Sequence, residues 1–225
     1  MSWDLVLFDC DGVLVDSEPI ANRILNERLA AIGLPLSLEE TTRAFQGRTL
    51  PVCLQIIEDV LGHPAPEGFL DDVQKRTFAA FREELRPVPG IAAVLDALPW
   101  PLAVASSGDL LKIRTTLTLT GLILRFEGRM FSALDVPRGK PAPDLFLHAA
   151  GSLSADPART AVVEDSPLGI QAATAAGMTP FGFAARIEPG ILADAGAAVT
   201  FTEMAALPDL LLRHSRPQGI PPQNP

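Results

Sequence analysis

The chain has 225 residues, 48% hydrophobic and 20% charged, with a formal net charge of −9 and two cysteines, Cys10 and Cys53. That length suits one domain, or one domain carrying a smaller insert, and the apolar content excludes a disordered chain. The acidic balance leaves no basic stripe for nucleic acid, and two cysteines are too few for a disulfide scaffold. The opening MSWDLVLFDCD lacks the basic region of a signal peptide, and no apolar run is long enough to span a bilayer. The expectation is a soluble cytoplasmic protein, a monomer or small homo-oligomer, with neither nucleic acid nor a membrane as partner.

In chain order, residues 3–8 are apolar except for Asp4 and run into acids, which predicts a short buried strand. Asp16 or Ser17 is the candidate cap of a helix carrying Ile20, Ile24, Leu25, Leu29 and Ile32 at helical spacing, ended by Gly33 and Pro35. A short helix over 39–45 closes at Gly47. Val52, Ile56, Ile57, Val60 and Leu61 mark another, stopped by Gly62, and residues 69–85 form a long one. Pro87 and Pro89-Gly90 then read as a linker. Helices over 91–98, 110–119, 143–149 and 170–176 alternate with strands over 101–105, 130–131, 160–163, 179–183 and 197–199. Such alternation implies a parallel sheet covered on both faces, an α/β fold. It is split after its first strand by a helical block, and the joins near 14–18 and 86–90 are candidate hinges. The last stretch, residues 214–225, contains RPQGIPPQNP and reads as a flexible tail.

Three predicted strands end in polar groups: Asp9-Cys10-Asp11-Gly12, Ser106-Ser107-Gly108 and Glu164-Asp165. Taken singly, each is an ordinary turn, helix cap or solvated edge. Ligands of open α/β sheets bind beyond the carboxyl ends of the strands, so the three groups are expected to meet there. Lys140, in GKPAPD, joins them; lysine is scarce here, three against fifteen arginines. Asp9, Asp11 and Asp165 are hard oxygen donors suited to Mg²⁺, whereas His63, His148 and His214 are scattered and offer no zinc site. Crowded carboxylates repel one another, and a cation with Lys140 would relieve them. Cys10 between the acids reads as a packing residue. Neither a dinucleotide fingerprint nor a P-loop follows the first strand.

DCDGVLVDSE, VASSG, GKPAPDLF and VVEDSPLGIQAATAAGM, in that order over about residues 4–200, resemble the haloacid dehalogenase superfamily of phosphohydrolases. The nearest branch is the phosphoglycolate phosphatase and β-phosphoglucomutase group. The resemblance implies a Rossmann-like parallel-sheet core (1–16 and 87–213) with helices on both faces and an inserted helical cap, residues 17–86. It implies Mg²⁺-dependent hydrolysis of a small phosphorylated metabolite, a sugar or sugar-acid phosphate, through an aspartyl phosphate. Asp9 would be the nucleophile and Asp11 the general acid and base, its backbone carbonyl facing the metal. Asp9 and Asp165 would hold Mg²⁺ with help from Glu164. Ser106 and Lys140 would grip the phosphate, with Gly12 and Ser107 assisting through backbone amides. Gly47 and Arg48 in the cap loop, and Glu18 at the hinge, would meet the leaving group.

Two departures favour hydrolysis over sugar phosphomutase activity. Mutases of this branch carry a histidine where this chain has Ala21, and a cap-loop arginine where it has about Leu50. Mutase activity is the alternative, and a non-catalytic phosphometabolite-binding protein is a further one.

Overall fold

The computed structural model describes residues 3–45 and 48–215. It opens with β1 (Leu5–Phe8), followed by α1 (Glu18–Ala31), α2 (Leu38–Phe45), α3 (Leu50–Leu61) and α4 (Phe69–Glu84). After these come α5 (Ile91–Ala97), β2 (Leu102–Ser106), α6 (Leu110–Leu119), β3 (Met130–Ser132) and α7 (Asp144–Ser152). The chain continues through β4 (Thr160–Glu164), α8 (Pro167–Ala175), β5 (Thr179–Phe183), α9 (Pro189–Asp194), β6 (Val199–Phe201) and α10 (Leu207–His214). The six strands form one parallel sheet in the order β3-β2-β1-β4-β5-β6.

The period-2 rule of a strand explains the two layers. Val6 and Phe8 of β1 face one side, where α5, α6 and α10 contribute Ile91, Ile113 and Leu211. Leu5 and Leu7 face the other, against Leu145 and Phe146 of α7 and Ala172 of α8. Both faces are dry, which is why β1, β2 and β4 read as unbroken apolar runs. Each large side chain so buried contributes roughly 1.5–3 kcal/mol.

The helices α1–α4 leave the sheet between β1 and α5 and have an apolar cluster of their own around Leu25, Leu29, Phe45, Ile57 and Val73. The outgoing and returning chains run side by side. Asp16 N donates to Arg86 O at 2.9 Å and Val88 N to Leu14 O at 3.0 Å.

Several boundaries differ from the sequence reading, each for a local reason. Helices α3 and α8 start earlier than expected because Pro51 and Pro167 sit in their first turns, where a missing N–H breaks no bond. Strand β6 lies two residues later, at 199–201. Helices α9 and α10 were not anticipated. The first is six residues long and opens with Pro189-Gly190, and the second buries only Leu207 and Leu211, too few for a periodic signal. His214, the start of the expected tail, closes α10, and residues 216–225 lie outside the described residues.

Candidate active site

Parallel register aligns the strand ends. Phe8 pairs with Val104 on one side and Val163 on the other, so Asp9 stands beside the ends of β2 and β4. The strand order reverses direction between β1 and β4, and the crevice outside such a switch point is where ligands of these sheets bind. A cavity of about 160 Å³ opens there, lined by Asp9, Asp11, Ser106, Lys140, Glu164 and Asp165 from the sheet side.

Lys140 is the centre of the charge arrangement. Its side chain is 2% exposed, and Nζ donates to Asp9 Oδ1 at 2.6 Å, to Glu164 Oε1 and to Ala105 O at 3.2 Å. Burial penalises the ammonium, but the two carboxylates outweigh that and hold its pKa above the ordinary lysine value. Glu164 Oε2 accepts from the backbone N–H and hydroxyl of Ser166, the N-cap of α8, at 3.1 and 3.0 Å. An anion at a helix N-terminus is favourable there. A Cβ on Gly169, one turn into that helix, would overlap the Glu164 carboxylate. Gly12, at φ +77°, plays the same part for Asp165: a Cβ there would overlap the carboxylate, 2.7 Å from its Cγ. Both glycines are space for acids.

One oxygen from each of Asp9, Glu164 and Asp165 lies within 4.8 Å of the others. Burial, opposed by Lys140 and reinforced by Glu164 and Asp11, pushes the Asp9 carboxyl up to about 7. Burial with the charges of Glu164 and Asp9 raises Asp165 well above the usual carboxylate range. This is negative charge that a single lysine leaves uncompensated. Asp165 accepts no hydrogen bond among the described residues, and Glu164 is committed to Lys140 and Ser166. Three hard oxygens so crowded fit a small divalent cation, with Asp9 and Asp165 as the available donors.

Asp11 lies beside this group with different partners. Its Oδ1 accepts from the Ser17 hydroxyl and its Oδ2 from Lys112 Nζ at 2.8 Å. Burial works against its ionisation, but the charge of Lys112 and these hydrogen bonds prevail and hold it below the usual range. Ser106 Oγ accepts from Gly108 N at 3.1 Å, and Ser107 lines the same cavity. Glu18, first residue of α1, is half-buried and accepts from Asn22 at 3.2 Å; burial and the Asp11 charge raise its pKa. Arg48 is exposed at the cavity edge, its Nε donating to Ala44 O at 2.9 Å. Gly47 lies outside the described residues. Cys10 is 1% exposed, its Sγ 3.6 Å from Thr116 Oγ1, and burial pushes its thiol up.

Sequence reasoning missed two groups. Lys112, one of the three lysines, carries nothing in the sequence that ties it to Asp11. Ser17 was read as a helix cap; it occupies that position, yet its hydroxyl serves Asp11. The inserted helices close the cavity from the far side with Leu25, Phe45, Val73, Phe78 and Phe81, and with Asn22 and Gln74 as polar points.

A family model for haloacid dehalogenase-like hydrolases matches residues 3–177. A 6-phosphogluconate phosphatase from Escherichia coli is 31% identical over 214 residues, spanning 92% of this chain and 94% of its own. Among solved structures, a haloacid dehalogenase-like protein of unknown function from Agrobacterium tumefaciens superposes with a TM-score of 0.82 at 34% identity, over 96% of this chain and all of the other. A family hydrolase from Deinococcus radiodurans, solved with bound phosphate and sodium, gives 0.76 at 33% identity over 94% of this chain and 96% of that one.

Proposed function

The chain belongs to the haloacid dehalogenase-like hydrolase family and is an enzyme of its phosphatase kind; from that premise we propose that it hydrolyses small phosphomonoesters through an aspartyl phosphate on Asp9, with Mg²⁺ as cofactor. The observation that carries the proposal is the Asp9–Lys140–Glu164 contact set with Asp11 alongside, at the sheet's switch point. Lys140 engages Asp9 Oδ1, so Oδ2 is the oxygen left to attack phosphorus. As that bond forms, the ester P–O bond breaks and the leaving oxygen takes a proton from Asp11, whose protonated form the negative charge of the bound ester favours over the ionised state held by Lys112 and Ser17 in the free site. Water then attacks the phosphorus, Asp11 takes its proton, and the P–O bond to Asp9 breaks, restoring the carboxylate. Ser106 holds a phosphoryl oxygen, and Lys140, whose three N–H donors go to Asp9, Glu164 and Ala105 O, supplies positive charge beside it. Asp9 and Asp165 would hold Mg²⁺, and that ion would supply positive charge against the repulsion between the carboxylate nucleophile and the anionic ester.

Residues 17–86 serve as the cap over this reaction, and the paired chains at 14–16 and 86–88 as its hinges. Excluding bulk water protects the phosphoenzyme and strengthens the fixed charges. A sugar or sugar-acid phosphate is the proposed substrate, supported by the 6-phosphogluconate phosphatase relative and by a cavity of about 160 Å³ that suits a small leaving group. Ala21 lines that cavity and supports hydrolysis, since mutases of the resembling branch carry a histidine at its place.

The test is phosphate release from a panel of 6-phosphogluconate, phosphoglycolate, hexose phosphates and β-glucose 1-phosphate, with Mg²⁺ and with chelator, and with product analysis. Release from one class that chelator abolishes is expected. Isomerised sugar phosphate without matching phosphate release would make this a mutase.

A further inference from the structure

We propose that Lys112 is the positioning residue for Asp11 in phosphoester cleavage, an inference that rests on the phosphatase reading above. Lys112 lies in the first turn of α6, just past the end of β2. Its Nζ donates to Asp11 Oδ2 at 2.8 Å, and the two side chains are 27% and 14% exposed, so this is no solvated surface pair.

The surroundings fix the lysine from three directions. Gly108 leaves room for the stem: a Cβ there would stand 3.2 Å from Lys112 Cδ. The backbone N–H of Lys112 donates to Asp109 Oδ1 at 2.7 Å, and the other oxygen of Asp109 accepts from Gln74 of α4 at 3.2 Å. The carbonyl of Lys112 accepts from the Thr116 hydroxyl at 3.0 Å, and that hydroxyl lies 3.6 Å from the sulfur of Cys10, the residue between Asp9 and Asp11. The lysine is therefore tied to α6, to the loop after β1 and to the inserted helices.

With Ser17 on Oδ1 and Lys112 on Oδ2, the Asp11 carboxyl has a protein donor on each oxygen. Its rotation about Cβ–Cγ is set by these two groups together. An ammonium carries three N–H donors, and one is used here, while Lys112 also lines the reaction cavity. A proton donor held at the right angle transfers more efficiently than one free to turn. The benefit is largest where the departing oxygen is strongly basic and smallest where it leaves readily as an anion.

That difference supplies the test. Lys112→Met keeps the stem and deletes the ammonium; Lys112→Arg keeps a charge. Both are assayed on the best alkyl ester of the panel and on nitrophenyl phosphate, whose leaving group needs little protonation. For Lys112→Met, kcat on the alkyl ester should fall on the order of tenfold or more, within the range of general acid catalysis. On nitrophenyl phosphate it should change by no more than about threefold, with KM nearly constant. Lys112→Arg should recover part of the loss, and Lys112→Met should cost nothing further in an Asp11→Asn background assayed at high enzyme concentration.

Equal losses on both esters, additive losses in the Asp11→Asn background, or no loss at all would overturn the proposal. Should Lys112→Met fail to fold, Lys112→Arg carries the same comparison, since a displaced donor must still weaken the alkyl ester more than the aryl one. A parent enzyme that turns over no phosphomonoester would refute the phosphatase reading instead.

Discussion

Replacing Gly169 by alanine reverses an ordinary rule. At an exposed interior helix position the exchange stabilises by about 1 kcal/mol. Here the new methyl would overlap the Glu164 carboxylate, which must leave its place. That carboxylate accepts from Lys140, Ser166 N and Ser166 Oγ, and is 1% exposed. Breaking a buried ion pair costs about 3–5 kcal/mol; set against the helix gain, about 2–4 kcal/mol of destabilisation remains. For a chain of this size that is a Tm lower by roughly 5–15 °C. Activity should fall further, since Lys140 then loses the Glu164 carboxylate that holds it against Asp9, and a misplacement near 1 Å costs on the order of 10²-fold. Urea unfolding and kcat measured together check this. A Gly169→Ala protein as stable as the parent, or more so, with unchanged kcat would refute the reasoning.

Further expectations concern the cation and the cavity edge. Because the Asp9 pKa is raised to about 7, the folded metal-free protein holds a proton that the unfolded chain releases, so the stability contributed at this site falls as pH rises from the ordinary carboxylate range through 7. If Mg²⁺ takes the place of that proton as proposed, its effect on Tm should be small near about pH 5 and larger near about pH 8, and an equal effect at both would contradict the assignment of Asp9 to the metal. Gly12→Ala combines strain at φ +77° with overlap on Asp165, and calorimetry should find Mg²⁺ affinity weakened by about tenfold or more; unchanged affinity would remove Asp165 from the donor set. Arg48→Ala should raise KM for sugar-acid phosphates severalfold with kcat nearly unchanged, the signature of lost uniform binding; unchanged KM would leave Arg48 a solvated rim residue.

The sheet and most helices were legible because each apolar run stops at a residue with a physical reason to stop it. Strands β1 and β4 end at acids, α3 ends at Gly62 in the left-handed region, and Lys140 stood out in a chain that otherwise prefers arginine. What escaped was long-range. Nothing local ties Lys112 to Asp11, 101 residues away, and the room that Gly12 and Gly169 leave for acids exists only once register is set. Ser17 carried a signal with two meanings, and the helical one was taken. Helices α9 and α10 escaped for the opposite reason: their apolar faces are too short for a period to emerge.

The central claim is covalent attachment of the phosphoryl group to Asp9. The direct measurement is an acid quench during turnover of a preferred substrate with Mg²⁺, borohydride reduction of any acyl phosphate, and mass spectrometry of the peptides. Homoserine at position 9 in the parent, and none in an inactive Asp9→Asn protein, is the predicted result. Reduction at another carboxylate, or full turnover by Asp9→Asn, would contradict it.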